Sequence, residues 1–448
     1  MKFNNFRQSQ LATRAFPRQS SWEQWWRWLW LIAFIGGLTF VARDLETISE
    51  RPLQLEVIHR PITASIVGLL LLPAITRGPL VMFRGILGVL SLFALLRLVS
   101  TLWSPNPLWT LYRSLEYIVI AALTAYTAVT LHTIEELRKW VNWVWLWYGL
   151  LMVSAWIGAI VAPEKALLPV PGALLPVQLF GIFPLINANE LATIGALLAL
   201  VGINRWIKSG HTIRWMPLIV ISLATMILAQ GRSALVGFLF GLLFVLVFHR
   251  RTNIPSFLTF LFLLAPLLLE EYFVEFFRRG QSPALISSFT GRKFWWEFAW
   301  EHYISKSPWI GYGAFAAQRF LVIHDLVGKK LARGSLSTLH NAWVETAVEI
   351  GLLGVLLLFL VVIMTWWALV KRAWHGSDME RTLCAELAGI FAVMAVRSFF
   401  ASDIVLHNSF AFFVTVGVAF ALNRKARMAN TVQRFTFEPS HHACPNHP

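Results

Sequence analysis

Two arginines, a histidine and a scatter of acids and amides stand at the edges of apolar runs. In "AQGRSALVG", 229–237, Arg232 occupies a short turn between two apolar stretches. A guanidinium beside hydrocarbon is expensive and usually faces a cavity or a partner. Its planar fork binds phosphate bidentately, and free N–H groups at the start of the next helix favour an anion. Snorkelling to lipid headgroups is the alternative. In "FTGRKFWWE", 289–297, Arg292 follows a glycine and is either an anion ligand or a solvated surface charge, with Thr290 available as an N-cap. In "STLHNAWVETAVEIGLLG", 337–354, His340 and Asn341 stand where a polar turn becomes an apolar helix. An imidazole there either takes a proton near neutral pH or bonds to headgroups and backbone. Glu345 and Glu349 share a helix face; acids inside a span mark function by default, although Glu345 near the surface also suits a helix N-terminus.

Two further stretches read first as structure. In "AVRSFFASDIVLHNS", 395–409, Arg397 and Asp403 are placed to pair, and in "GIFPLINANELAT", 181–193, Asn187, Asn189 and Glu190 suit a helix cap. Arginines beside a histidine are suited to holding a phosphate leaving group while a hydroxyl is activated. No zinc spacing, Walker loop, GxSxG or Ser/His/Asp order occurs. Of the two cysteines, Cys384 lies in an apolar run and Cys444 in the tail, which gives neither a disulfide framework nor a metal quartet. No metal and no cofactor are expected.

These residues have to be positioned by a membrane fold. The 448 residues are 57% hydrophobic and 14% charged, against about 45–50% and about 25% in soluble domains. Twenty-two tryptophans, many beside bases at segment ends, fit interfacial belts. The net charge of +15 is dispersed in short clusters between apolar runs, which excludes a nucleic-acid-binding domain. About twelve transmembrane helices are expected in an all-α polytopic membrane protein, at 24–42, 62–77, 81–102, 112–131, 139–161, 190–206, 213–230, 233–249, 255–274, 342–370, 383–402 and 405–422. The first reads as an uncleaved span. Bases at 250–252, 371–381 and 423–428 put both termini inside. The expected divisions are a cytoplasmic segment 1–23, spans one to nine in 24–274, a periplasmic loop 275–341, spans ten to twelve in 342–422 and a cytoplasmic tail 423–448. The long loop is too long to lack structure. Phe294, Trp295, Phe298 and Ala299 predict an interfacial helix in it, packed on the bundle, with "GYGAF", 311–315, as a glycine turn.

In order and spacing, "AQGRSALVG", "FTGRKFWWE", "SPWIGYGAF" and "LHNAWVETAVEIGLLG" resemble the O-antigen ligase/polymerase family of bacterial envelopes. "LWSPNPLWTLYRSLEYIV", 102–119, looks like that family's early outer turn and following helix, and the likeness spans most of residues 80–420. The resemblance implies a metal-independent glycosyltransferase of the GT-C type in the bacterial inner (plasma) membrane, working at the periplasmic face. It would move a glycan from an undecaprenyl (polyprenyl) diphosphate carrier to lipid A–core or another glycan acceptor. By motif position, Arg232 and Arg292 would bind the donor diphosphate and His340 would activate or orient the acceptor hydroxyl. Asn341, Glu345, Arg113 and Asn189 would support substrate binding. A ligase-type enzyme of lipopolysaccharide or surface polysaccharide assembly is the first expectation, and a polymerase using the same donor is the second. A transporter, for instance of bicarbonate, is the rival of another class. It would favour charges at mid-bilayer and two similar halves, whereas the polar residues here gather toward one face.

Overall fold

The structure is a computed structural model that describes residues 25–35, 55–77, 82–210, 212–249, 275–276, 291–329, 338–406 and 408–437. Its long helices are α1 (Trp25–Ile35), α2 (Leu55–Arg77), α3 (Gly85–Val99), α4 (Pro107–Thr130), α5 (Ile134–Val161), α6 (Ala188–Lys208), α7 (Met216–Leu228) and α8 (Arg232–Phe248), then α9 (Arg292–Ala299), α10 (Ala342–His375), α11 (Asp378–Arg397) and α12 (Phe410–Phe437). Helices therefore run through eleven of the twelve segments expected from hydropathy; the twelfth, 255–274, lies outside the described residues. By length and composition, four stretches among the described residues can cross a membrane: Gly85–Trp103, Ile134–Val161, Ala188–Lys208 and Ala342–His375.

Small residues set the closest contact, between α8 and α11. A methyl group on Gly241 would meet the Gly389 carbonyl oxygen at 2.5 Å, and one on Gly237 would meet that of Val393 at 3.0 Å. Such close backbone approach is how helices associate without a hydrophobic drive between them. At the far end of this pair, Glu386 of α11 is clamped by Arg205 of α6 at 3.0 Å and receives the Trp145 indole N–H at 2.9 Å. Registering α6, α8 and α11 in this way brings Asn187, Arg232 and Arg397 to one common end of the bundle.

α10 is not one straight rod. Ile350 and Gly351 leave helical geometry, Gly351 at φ +69° and ψ −171°, a region open essentially to glycine alone. The broken turn is completed from outside by the loop segment 308–313. Tyr312 and Gly313 donate their N–H groups to the Val348 and Glu349 carbonyls at 3.0 and 2.7 Å, and Leu352 donates to the Pro308 carbonyl at 2.6 Å. Gly311 (φ +60°) and Gly313 (φ +109°) make the turn expected at "GYGAF". Helix α9 lies where the aromatic stripe predicts it and continues as a wider turn over Trp300–Ile304. Phe298 and Ala299 are buried with Ala347 and Val348 of α10, whereas Phe294 points outward. Two antiparallel two-stranded ribbons, Leu167–Pro169 with Val177–Leu179 and Gly181–Ile182 with Leu185–Ile186, join α5 to α6 and were not anticipated.

Candidate functional site

The start of α8 is held by the turn before it. Gln230 takes φ +54°, and its side-chain amide donates to the Leu175 and Val177 carbonyls at 3.0 and 2.8 Å, while Gln178 donates to the Ala229 carbonyl at 2.8 Å. Gly231 sits so close to α6 that a methyl group there would meet the Ala192 Cβ at 2.4 Å. Arg232 is thereby fixed as the first residue of α8, half-buried. Arg292 begins α9 directly after Gly291, whose φ of +84° turns the chain, and donates through Nη1 to the Phe400 carbonyl at 3.0 Å.

His340 lies at φ +54°, a conformation costing about 1–3 kcal/mol that persists where surroundings enforce it. Several contacts enforce it here. The Trp296 indole of α9 donates to the Leu339 carbonyl at 2.9 Å, and the Ala342 N–H donates to the Ser398 carbonyl at 2.9 Å. Asn341 caps α10, accepting from the Trp343 and Val344 N–H groups at 3.0 and 3.1 Å. The His340 N–H is directed at the Glu345 carboxylate, which also accepts from the Ser402 hydroxyl at 2.7 Å. The imidazole Nδ1 lies 3.1 Å from the Thr338 hydroxyl. Among the described residues, the non-glycine positions in the left-handed region are Gln230, Phe315 and His340, and all three flank these charged side chains. Strain of this kind clusters where geometry serves function.

Arg397, buried at the end of α11, knits the parts together. It donates through Nε to Asp403 at 2.6 Å and through Nη1 to the Ser233 hydroxyl and the Asn189 carbonyl at 3.2 and 3.4 Å. The pairing with Asp403 is the one suggested by sequence, and Asn187 caps α6 by accepting from the Glu190 N–H at 2.9 Å. The side chain of Asn189 itself is exposed. Charge crowding then governs the titrating groups. Burial, followed by the neighbouring Arg397, lowers the pKa of Arg292. Burial and then Arg292 push His340 down to about 4, against a smaller upward pull from Asp403. The imidazole is therefore neutral at pH 7 and can accept a hydrogen bond.

Glu345 was expected near the surface but is 1% exposed, because the 338–341 turn and Ser402 close over it. Glu349, one turn further, belongs to a feature the sequence reading passed over. Arg97, from the last turn of α3, donates to Glu349 at 3.0 Å and to the Val405 carbonyl at 2.6 Å. Its guanidinium stacks 4.1 Å from the Phe315 ring. A lone arginine inside a span was the signal available. Arg113 is not brought to His340. It pairs with Glu116, lies 5.8 Å from the Trp109 ring, and shares the Phe315 ring with Arg97, at 5.4 Å. His407, just before α12, lies outside the described residues.

The site thus gathers His340, Arg292, Arg397 and Asp403, with Arg232 one residue from the bonded Ser233. The N-termini of α6, α8 and α10, the positive ends of their dipoles, lie around them. The arrangement suits an anion held beside a neutral hydrogen-bond acceptor. In comparisons with known proteins, residues 217–359 match the family model described as O-Antigen ligase. No curated protein matches the chain.

Proposed function

We propose, from the match of residues 217–359 to the O-antigen ligase family model, that the protein is a ligase-type membrane glycosyltransferase. It transfers a glycan from a polyprenyl (undecaprenyl) diphosphate carrier to an acceptor hydroxyl, on lipid A–core or a comparable surface glycan, at the periplasmic face of the inner membrane. The observation that carries this reading is the placing of a neutral imidazole near the half-buried Arg292 and the buried Arg397 at converging helix N-termini. In the reaction the acceptor oxygen bonds to the anomeric carbon as the bond from that carbon to the phosphate oxygen breaks. The electron pair leaves on the diphosphate, whose charge Arg232 and Arg292 stabilise, and the hydroxyl proton passes to His340 or to the departing phosphate. Asn341 and Glu345 hold the His340 turn. Asn189 contributes its backbone carbonyl to Arg397, and Arg113 acts from the neighbouring Trp109 cluster.

The test is complementation of a deletion strain, read as its polysaccharide profile. Loss of all attached glycan with free polymer intact identifies a ligase, and accumulation of single repeats identifies a polymerase. His340→Ala should not restore the wild-type profile. Arg232→Lys and Arg292→Lys keep the charge but lose the bidentate fork. Each should lose about 10- to 150-fold in rate, the equivalent of a charged hydrogen bond of about 1.5–3 kcal/mol. Full transfer by all three variants at normal abundance would sink the reading.

A further inference from the structure

Residues 398–405, which leave α11 toward α12, touch both halves of the site. The Ala342 N–H donates to the Ser398 and Ala401 carbonyls at 2.9 and 3.2 Å, and the Trp343 indole donates to the Ser398 hydroxyl at 2.9 Å. Arg292 donates to the Phe400 carbonyl, and the Ser402 hydroxyl donates to Glu345. This link therefore sets how far Arg292 stands from the His340 turn. Its far end is held from α3. Arg97 donates through Nη1 to the Val405 carbonyl and through Nη2 to Glu349, the residue just before the Ile350–Gly351 break. One planar fork thus ties the link to α10 at the point where α10 is interrupted.

Arg97 is fully buried, walled by the rings of Phe93, Tyr117 and Phe315 at 4.9, 5.0 and 4.1 Å. Phe315 meets it from a left-handed turn, φ +58°, and the Phe315 N–H and the Gln318 amide approach the same Glu349 carboxylate. A buried ion pair adds little stability, because lost hydration offsets most of the attraction. What a guanidinium adds over another cation is hydrogen bonds in fixed directions. We propose that Arg97 is a positioning residue for transfer. Through Val405 and Glu349 it keeps the 398–405 link in register with α10, and so holds Arg292 and His340 at the spacing the two reacting groups require. The proposal rests on the glycosyl-transfer reading and adds to it a residue that touches neither substrate.

Two variants separate position from charge and from stability. Arg97→Lys keeps the charge and loses the fork. Arg97→Met/Glu349→Gln removes both charges together, so that neither is left buried and unpaired. Each is assayed as the full chain in membranes against the lipid extract of the deletion strain, which retains unused donor and acceptor. The maximal rate should fall about 10- to 100-fold, as expected for a small misplacement of reacting groups. The half-saturating extract concentration should stay within about twofold, since binding is spared. The double variant should melt close to the wild type. Ser402→Ala frees the same link from α10, so adding it to Arg97→Lys should cost less than the product of the separate losses. A wild-type maximal rate in either Arg97 variant would overturn the proposal, and so would losses that only track a lowered melting temperature. If His340→Ala is inactive in that case, the transfer reading stands without Arg97. An active His340→Ala beside slow, stable Arg97 variants would instead remove His340 from the reaction and leave Arg97 its positioning role.

Discussion

In the proposed reaction His340 starts neutral and strained, and its titration is the most direct residue-scale consequence. Only the unprotonated ring accepts a hydrogen from a hydroxyl, so activity is present above its pKa and lost as pH falls through it. With His340 at about 4, against about 6.5 for an unperturbed ring, the acid limb of kcat/KM should fall near pH 4 to 5. Bound diphosphate sets negative charge against the Arg292 contribution, which raises the ring's pKa in the donor complex. The acid limb of kcat should therefore lie above that of kcat/KM, because the two report bound and free enzyme. Rate measurements across pH 4–8 check both; coincident limbs near 6.5 would contradict the crowding of His340 by burial and Arg292. Arg232, Arg292 and His340 of the proposed site stand out in the sequence as cations or an imidazole at the edges of apolar runs, each with an ordinary interfacial alternative. Phe315 and Gln318 do not. The Phe315 N–H and the Gln318 amide approach Glu349 only because the loop docks on α10, and no spacing in the chain announces that contact.

At the scale of elements, the repair of α10 by residues 308–313 fixes where His340 and Glu349 lie relative to the loop that carries Arg292. Hydropathy located the helices well, since long apolar runs admit few other solutions. It missed the break, because a glycine followed by leucines reads as an ordinary stretch of span. Gly351 is the residue on which the repair depends. A methyl group there would meet the Trp309 carbonyl carbon at 2.2 Å, in a conformation that glycine alone adopts readily. Gly351→Ala should destabilise the protein by about 2–6 kcal/mol, adding overpacking to backbone strain at about 1–3 kcal/mol each. Gly149→Ala on α5, where nothing lies within 4 Å of the added atom, is the control and should hold or slightly gain stability. Thermal unfolding of the purified proteins compares them. Equal melting of the two variants would mean that the loop does not depend on the break.

For the whole molecule, the arrangement of bases along the chain predicts which end faces out. Cysteine labelling tests it in a Cys444→Ser background, with Cys384 fully buried. Gly328 is exposed and open to substitution. On the other side His375 is the better position, because a Cβ at Gly376 would meet the Arg372 carbonyl at 2.6 Å. An impermeant maleimide should label Gly328→Cys in intact spheroplasts and His375→Cys only after permeabilisation; the reverse pattern would invert the topology. The strap formed by residues 308–313 also has a consequence for synthesis. Its hydrogen-bond partners lie at Val348, Glu349 and Leu352, so about forty residues are made between the strap and the turn it completes. During that interval Arg292 has already emerged while the His340 turn has no α10 to lean on. A nascent chain stalled before Gly351 would carry both arginines and still be unable to act on a carrier lipid. In the proposed reaction, this order of synthesis would keep an unfinished chain from spending donor before its membrane insertion is complete.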